Sequence, residues 1–573
     1  MATRSFPPPA RRFVPETVDA GNWADLEPLF SALEERSIDS LEEFHEWIYD
    51  LSELESILRA EEARRYIDMT CHTDDESRRL RFLEYSREIE SRSKAAFDRL
   101  DRVYLESDFR SQLPEERFEV YDRTKKSDAE IFREANIPLE VQEIEKATEY
   151  VKLMGSLTVE LNGEEVPFAK AYLELEQPDR SRREAIWRRI YERRYKERDR
   201  IEELFSDLFD IRQQIAKNAD FASYRDFRFR HFRRFDYTVA NCEQFHDAVR
   251  SVLVPEICRI NEIRRRKLDL DTLRLWDMEV NPYSAEPYRP FTTEKELCDL
   301  ARTLFGAVST DFQEEFEALE ELELLDLFSR PNKAPGGYQY FLEDVRLPFI
   351  FANAAGTHDD VQTLLHEGGH AFHSLANRDE PIVLYRDPPL EFCEVASMGM
   401  EFLALQHLEK VYAPDVAARV RCQHIEKSLR LLAWVATVDS FQHSVFTSQE
   451  NSPKDRRATW VQLRTEFFPD FDWSGLEHFQ EVEWHRQGHI FRQPFYYIEY
   501  GIALLGALQL WIHARKGEAS TVDRFREALA LGGSRPLPEL FAAAGLRFEF
   551  GEEIFRSIVE ETVGEWERLR AQI

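Results

Sequence analysis

Apolar residues recur at helical spacing through most of the chain. In "RIEELFSDLFDIRQQI", Ile201, Leu204, Leu208, Ile211 and Ile215 fall on one face, with charged residues opposite. Comparable amphipathic runs cover most of residues 22–150 and 290–330 and nearly everything after 390. No repeat of fixed period is present, so the pattern predicts a mainly α fold that is not a solenoid. Two stretches break the helical period. "SLTVELNGEEVPF" (156–168) alternates Leu157, Val159 and Leu161 ahead of Asn162-Gly163, which predicts a β-hairpin. "GGYQYFLEDVRLPFIFANAAGT" (336–357) predicts two short strands leading into a helix capped by Thr357, with Asp359 and Asp360 in its first turn. No Gly/Ser-rich linker divides the chain, and a soft boundary is placed near residue 195.

Composition narrows the possibilities without naming a substrate. The 573 residues are 43% hydrophobic and 32% charged, as in a soluble globular protein. A net charge of −33 repels a phosphate backbone, so nucleic acid is not an expected partner. The arginine-aromatic stretch "YRDFRFRHFRRFDYT" (224–238) therefore reads as a salt-bridged helix junction. Six scattered cysteines contain no C-x-x-C pair, which suits reduced thiols in a cytoplasm. The N-terminus lacks an apolar signal core, and its triple proline reads as an extended arm. The longest apolar run, "GIALLGALQLWI" (501–512), is too short to span a bilayer, so no membrane partner is expected and the location is read as cytoplasmic.

The helix after Thr357 contains "LLHEGGHAFHSL" (364–375). Each interior glycine costs a helix about 1 kcal/mol relative to alanine, so Gly368-Gly369 needs a reason. His366 and His370 lie one turn apart on one face, where two imidazoles can share one Zn²⁺ with Glu367 beside the open coordination position. His373 is seven residues from His366, about 10.5 Å along a helix axis, too far to join them. The third ligand is then a downstream carboxylate, with Asp379, Glu380, Asp387, Glu391, Glu394 and Glu401 as candidates. "LEFCEVASMGMEFLAL" (390–405) reads as a second buried helix. Within it Glu394 is flanked by Phe392, Cys393, Val395 and Ala396, where a carboxylate needs a partner such as a metal. Glu394 is the preferred ligand and Glu391 the alternative; Glu401, one heptad on, suits a supporting role.

"HEGGHAFH", followed 24 residues after its second histidine by "EFCEVAS", resembles the M3 metallopeptidases, the thimet oligopeptidase and oligoendopeptidase F group. "NKAPGGYQY" and "LPFIFANAAGT" extend the likeness, and "WADLEPLF" and the 156–168 hairpin lean toward the oligoendopeptidase F branch. Gly368 stands where many members carry a larger residue. The resemblance implies one Zn²⁺ per chain on His366, His370 and Glu394, with Glu367 as general base. It implies a helical N-terminal domain (1–195, including the hairpin) and a zincin-type catalytic domain (196–573) with a small sheet, walling a deep substrate channel. The glycines then read as places where the Glu394 helix or a peptide approaches closely.

"EWHRQGHIFRQPFYYIEYGIALLG" (483–506) supplies His485, His489, Tyr496, Tyr497 and Tyr500. By residue type alone these could equally be an aromatic core stripe. The resemblance implies that His489 and Tyr500 contact the scissile carbonyl with a second tyrosine. Tyr497 is placed with that pair and Tyr496 among the substrate contacts, and the choice between them stays open. Phe351, Asn353, Ala354 and Gly356 are further substrate contacts, with "PFIFANAAGT" pairing with the peptide as an added strand. His443, in "VDSFQHSVF", reads as structural. The expected activity is cleavage of internal bonds in short peptides by a monomer. The rivals are a dipeptidyl carboxypeptidase of related fold and a non-catalytic peptide-binding protein; intact Glu367 weighs against the latter.

Overall fold

The computed structural model describes residues 6–283, 288–448 and 451–573. Helices α1 (Trp23–Glu34) and α2 (Leu41–Cys71) open the chain, capped by the side chains of Asn22 and Ser40. Strands β1 (Thr158–Leu161) and β2 (Glu164–Pro167) form the expected antiparallel hairpin. Its turn residues Asn162 and Gly163 take φ of 54° and 87°, the left-handed values that an Asn-Gly hairpin turn requires. Helix α3 (Arg198–Asn218) buries Ile201, Leu204, Leu208 and Ile215 along the predicted face. Helix α4 (Val239–Ala248) follows.

Strands β3 (Leu325–Phe328), β4 (Tyr338–Leu342) and β5 (Leu347–Ala354) form a sheet in the order β3-β5-β4. The β3 segment lies where the pattern suggested helix throughout. Two helices do fill Glu294–Val308 and Thr310–Glu321, but Glu323 turns left-handed at φ 55° and releases four residues as a strand. β5 is parallel to β3 and antiparallel to β4, with Ile350 and Phe351 paired on both sides. Its continuous apolar run is what a central, doubly covered strand requires. β5 delivers the chain into α5 (His358–Ala376), where Thr357 and Asp360 form a reciprocal capping box. Then come α6 (Leu390–Leu405), α7 (Pro414–Thr447) and α8 (Ile498–Arg515). Among the described residues no helix is long and apolar enough to cross a membrane.

The chain forms two compact units, each drawn from three separate stretches. The first comprises Met1–Phe132, Tyr288–Ala417 and Ala503–Phe548. Part of its core is an aromatic cluster in which Phe44 stacks on Trp47 and Tyr104, while the buried indole N–H of Trp47 donates to Leu33 O at 2.9 Å. The second comprises Arg133–Pro287, Ala418–Ile502 and Glu549–Ile573. One of its cores gathers Trp187, Tyr191, Trp276 and Phe479 under the β1–β2 hairpin. Residue 195 and the hairpin both lie inside this second unit.

Candidate metal centre

α5 and α6 pack against each other in the first unit, and glycine sets how closely. A Cβ on Gly369 would lie 2.5 Å from Ala396 O and 2.6 Å from Ser397 Cα, both backbone atoms of α6. Only glycine leaves room for that helix. A Cβ on Gly368 would meet the Phe305 ring at 2.4 Å, so the departure from larger residues there is matched by a phenylalanine filling the space.

The close approach brings Glu394 of α6 over the histidine pair of α5. A nitrogen of His366, a nitrogen of His370 and a carboxylate oxygen of Glu394 all lie within 4.8 Å of one another. Glu394 Oε2 is 3.4 Å from His366 Nε2 and 3.8 Å from His370 Nε2. Donors held about 2.0–2.2 Å from a tetrahedral Zn²⁺ sit roughly 3.3–3.6 Å apart, so this spacing fits one ion. Ser397 Oγ donates to Glu394 Oε2 at 3.0 Å and fixes the carboxylate.

Glu401, two turns further along α6, places Oε1 2.6 Å from His366 Nδ1. Its other oxygen accepts from Gln362 Nε2 at 2.6 Å. A carboxylate can only accept, so His366 donates from Nδ1 to Glu401 and turns Nε2 toward Glu394 and His370. Burial opposes the charged ring, but its hydrogen bonds to Glu394 and Glu401 raise its pKa, and a cation bound there would take the place of the Nε2 proton. Gln362 was not singled out from sequence; its position one turn before His366 is the signal that could have found it.

The charges suit a cation. Burial lowers the His370 pKa to about 4, leaving the ring neutral and able to ligate at neutral pH. Burial would raise Glu394, but the hydrogen bond and charge of His366, with His370 and Ser397, outweigh it and bring the pKa down to about 2. Burial pushes Glu367 up to about 7; Glu394 and Glu401 add to the rise and His366 partly offsets it. A carboxylate poised near neutrality is suited to accept and return a proton. A Cβ on Gly337, just before β4, would sit 3.5 Å from Glu367 Oε1 and 3.0 Å from Thr363 Cγ2. The bare backbone of Gly336-Gly337 thus runs beside the carboxylate, which sequence reading had not noticed.

The other candidate ligands lie elsewhere. Glu380 pairs with Arg117, and Asp387 is 3.2 Å from Arg59. Glu391 is buried in the first turn of α6, outside the donor group, and Asp379 is likewise outside it. His373 is buried 5.8 Å from the Phe392 ring, where desolvation lowers its pKa to about 3.

The strand expectation needs correction. β5 is the central strand, so Phe351 has no free edge for a peptide to join. Phe351 and Ala354 are buried, Gly356 likewise, and Asn353 spends its amide on the carbonyls of Ala334 (2.6 Å) and Gly336 (2.8 Å). Up to Phe351 the apolar run is the signature of a sheet centre, while β4 does not pair with Asn353 or Ala354.

In the second unit, His489, Tyr496, Tyr497 and Tyr500 form one ring cluster. The His489 centroid lies 5.8, 5.0 and 5.8 Å from the three tyrosines in turn. α8 begins only at Ile498, so helical spacing does not relate Tyr497 to Tyr500. Phe495, left-handed at φ 68°, turns the chain just before them. Tyr497 is buried and faces Gln487 and Trp434, whereas Tyr496 and Tyr500 are half-buried. Trp434 Nε1 donates to Gln487 Oε1 at 2.8 Å, which turns the amide NH₂ toward His489 Nδ1, 2.9 Å away. Nδ1 must then accept, and the His489 proton resides on Nε2 as a donor. His485 is fully buried, 3.3 Å from Glu202. In the arginine-aromatic stretch, Arg234 makes a buried 2.9 Å ion pair with Glu499, the helix junction expected there.

A mainly α chain with H-E-x-x-H on one helix, a glutamate from the next and a carboxylate bracing the first histidine has the build of the H-E-x-x-H metallopeptidase class. The chain belongs to peptidase family M3, whose profile matches residues 173–560. It is 25% identical over 306 residues to the oligoendopeptidase F homolog of Lactococcus lactis subsp. lactis, covering 52% of this chain and 49% of that one. It is 23% identical over 329 residues to oligopeptidase PepF of Bacillus subtilis, covering 56% and 48%. The chain spans about half the length of these relatives. Among solved structures, PZ peptidase A with an inhibitor superposes with a TM-score of 0.89 at 26% identity, covering 98% of this chain and 99% of that one.

Proposed function

We propose that this protein is a zinc-dependent oligopeptidase that hydrolyses internal bonds of short peptides. The observation that carries the reading is the convergence of His366, His370 and Glu394 with Glu367 adjacent and Glu401 behind His366. These three residues would hold the ion, leaving one coordination position for water or substrate. Bound there, Zn²⁺ would supply Lewis acidity, making a water more acidic and a peptide carbonyl more electrophilic. The chain's own groups do the rest. Glu367, with its raised affinity for protons, takes the water proton and delivers it to the leaving amine. Gln362 and Glu401 hold His366 in one tautomer and orientation.

The oxyanion would be met by the Nε2–H of His489 and the hydroxyl of Tyr500. Tyr496 is preferred to Tyr497 as the accompanying donor, because Tyr496 is half-buried while Tyr497 is buried against Gln487 and Trp434. The names of the relatives support peptides as the substrate class, and the reading places the protein in the cytoplasm as a monomer with one catalytic zinc.

The test is a mass-spectrometric cleavage profile on a peptide mixture, with and without chelator. Internal cleavages abolished by chelator and restored by Zn²⁺ are expected. Release of C-terminal dipeptides alone would transfer the assignment to a dipeptidyl carboxypeptidase, and no cleavage to a binding protein. A cleavable sequence placed in a loop of a stable folded protein should survive while the free peptide is cut.

A further inference from the structure

The second unit contains another convergence of metal-binding side chains, remote in sequence from H-E-x-x-H. Cys242 and His246 are four residues apart on α4, and Asp439 and His443 are four apart on α7. Each helix therefore offers a pair of candidate donors from one face. Cys242 Sγ, an oxygen of Asp439 and a nitrogen of His443 lie within 4.8 Å of one another, the same span that unites His366, His370 and Glu394. His246 Nε2 is 2.9 Å and His443 Nε2 3.2 Å from the same Asp439 oxygen. All four residues are buried, with 0% (Cys242), 5% (His246), 0% (Asp439) and 8% (His443) exposure.

Ordinary core hydrogen bonding leaves this group incompletely satisfied. Asp439 Oδ1 and His443 Nδ1 make no hydrogen bond, although buried polar atoms almost always do. The surroundings are apolar: the Phe229 and Phe495 rings lie 6.0 and 5.6 Å from His443, and Phe245 lies 6.3 Å from His246. A carboxylate in such a setting needs a positive partner. A divalent cation supplies one with full charge balance, because one carboxylate and one thiolate neutralise it while two imidazoles remain neutral. One sulfur, one nitrogen and one oxygen make a donor set that zinc accepts.

We propose that Cys242, Asp439 and His443 form a second Zn²⁺ site, with His246 outside the donor group and holding the Asp439 carboxylate at 2.9 Å. It ties α4 to α7 within the second unit. Loading it requires loss of the Cys242 thiol proton, so uptake releases a proton.

The experiment counts metal in the full-length protein by plasma mass spectrometry. Unaltered protein should carry two zinc equivalents per chain. A His366→Ala/His370→Ala variant, which removes the first centre, should keep one, whereas Cys242→Ser should lose one and retain the other. Because a substitution in this core could prevent folding, a second readout uses only the unaltered protein and the His366→Ala/His370→Ala variant. Loaded with Co²⁺, both should show a thiolate-to-cobalt charge-transfer band in the near ultraviolet, since no cysteine belongs to the first centre. A single zinc equivalent that vanishes in the double variant would overturn the proposal, as would Co²⁺-loaded protein without a thiolate band.

Discussion

Glu401 Oε1 rests 2.6 Å from His366 Nδ1, and the other Glu401 oxygen is held by Gln362 at 2.6 Å. The histidine is thereby fixed from behind by a side chain that does not itself reach the donor group. Glu401→Ala should weaken zinc binding about 10–100-fold. Measured by competition with a chromogenic chelator, the loss should appear in affinity, while turnover at saturating zinc falls much less. Unchanged affinity would mean that the contact does not orient His366.

Gly369→Ala tests the helix contact that creates the site. In an exposed helix the change would stabilise by up to about 1 kcal/mol. Here the new methyl meets the backbone of Ala396 and Ser397 at 2.5–2.6 Å and must push α6 away. Overpacking should make the variant about 1–3 kcal/mol less stable in denaturant unfolding, with weakened zinc binding. A more stable variant would contradict the packing account.

Much of this centre was legible in the sequence because its signals are local. Thr357 with Asp360 marks a helix start, His366 and His370 share a face by spacing alone, and Glu394 is conspicuous as a charge in an apolar run. What was misread depended on tertiary pairing. The run ending at Ala354 looks the same whether its edges are free or covered, and only the pairing with β3 and β4 decides that it is covered on both sides at Phe351. Tyr497 and Tyr500, three apart, look like neighbours on one helix, but the helix begins one residue after Tyr497. Gln362, Gly337 and the Cys242–Asp439 group act through partners on other elements, and no one-dimensional pattern announces them.

Three tyrosine variants test the proposed oxyanion donors. Tyr500→Phe should lower kcat by about 10²–10³ with KM little changed, because that hydrogen bond forms mainly in the transition state. Tyr496→Phe should lower kcat in the same manner, and Tyr497→Phe, facing Gln487 and Trp434, should matter least. If Tyr497→Phe shows the larger kcat loss, the roles of Tyr496 and Tyr497 are exchanged.

Gln487→Leu addresses the His489 tautomer. Without an amide donor to Nδ1, the ring is free to carry its proton there and present a lone pair where a donor is needed. A kcat reduction of about tenfold or more with zinc content intact is expected from steady-state kinetics and metal analysis. Full activity would show that Gln487 does not set the tautomer.

His373 contributes to the pH dependence of stability. It stays neutral in the folded protein down to about pH 3, against an ordinary value of 6.5. Above pH 6.5 both states are neutral and the residue has no effect. As pH falls below 6.5 the unfolded chain binds a proton that the folded chain refuses, costing up to ~1.4 kcal/mol per pH unit. His373→Leu should remove that loss, so between pH 6.5 and 4.5 its stability should decline by about 2 kcal/mol less than that of the unaltered protein. Parallel declines in denaturant unfolding would show that His373 does not titrate as its burial implies.

The central claim is that Glu367 is the base of a zinc peptidase and not a ligand or a structural carboxylate. The most direct measurement is single-turnover peptide cleavage by Glu367→Gln, alongside its zinc content and melting temperature. The variant should fold, bind zinc at His366, His370 and Glu394, and lose several orders of magnitude in the cleavage step, since only the proton acceptor has been removed. A metal-replete, folded Glu367→Gln protein that cleaves peptides at the unaltered rate would contradict the mechanism.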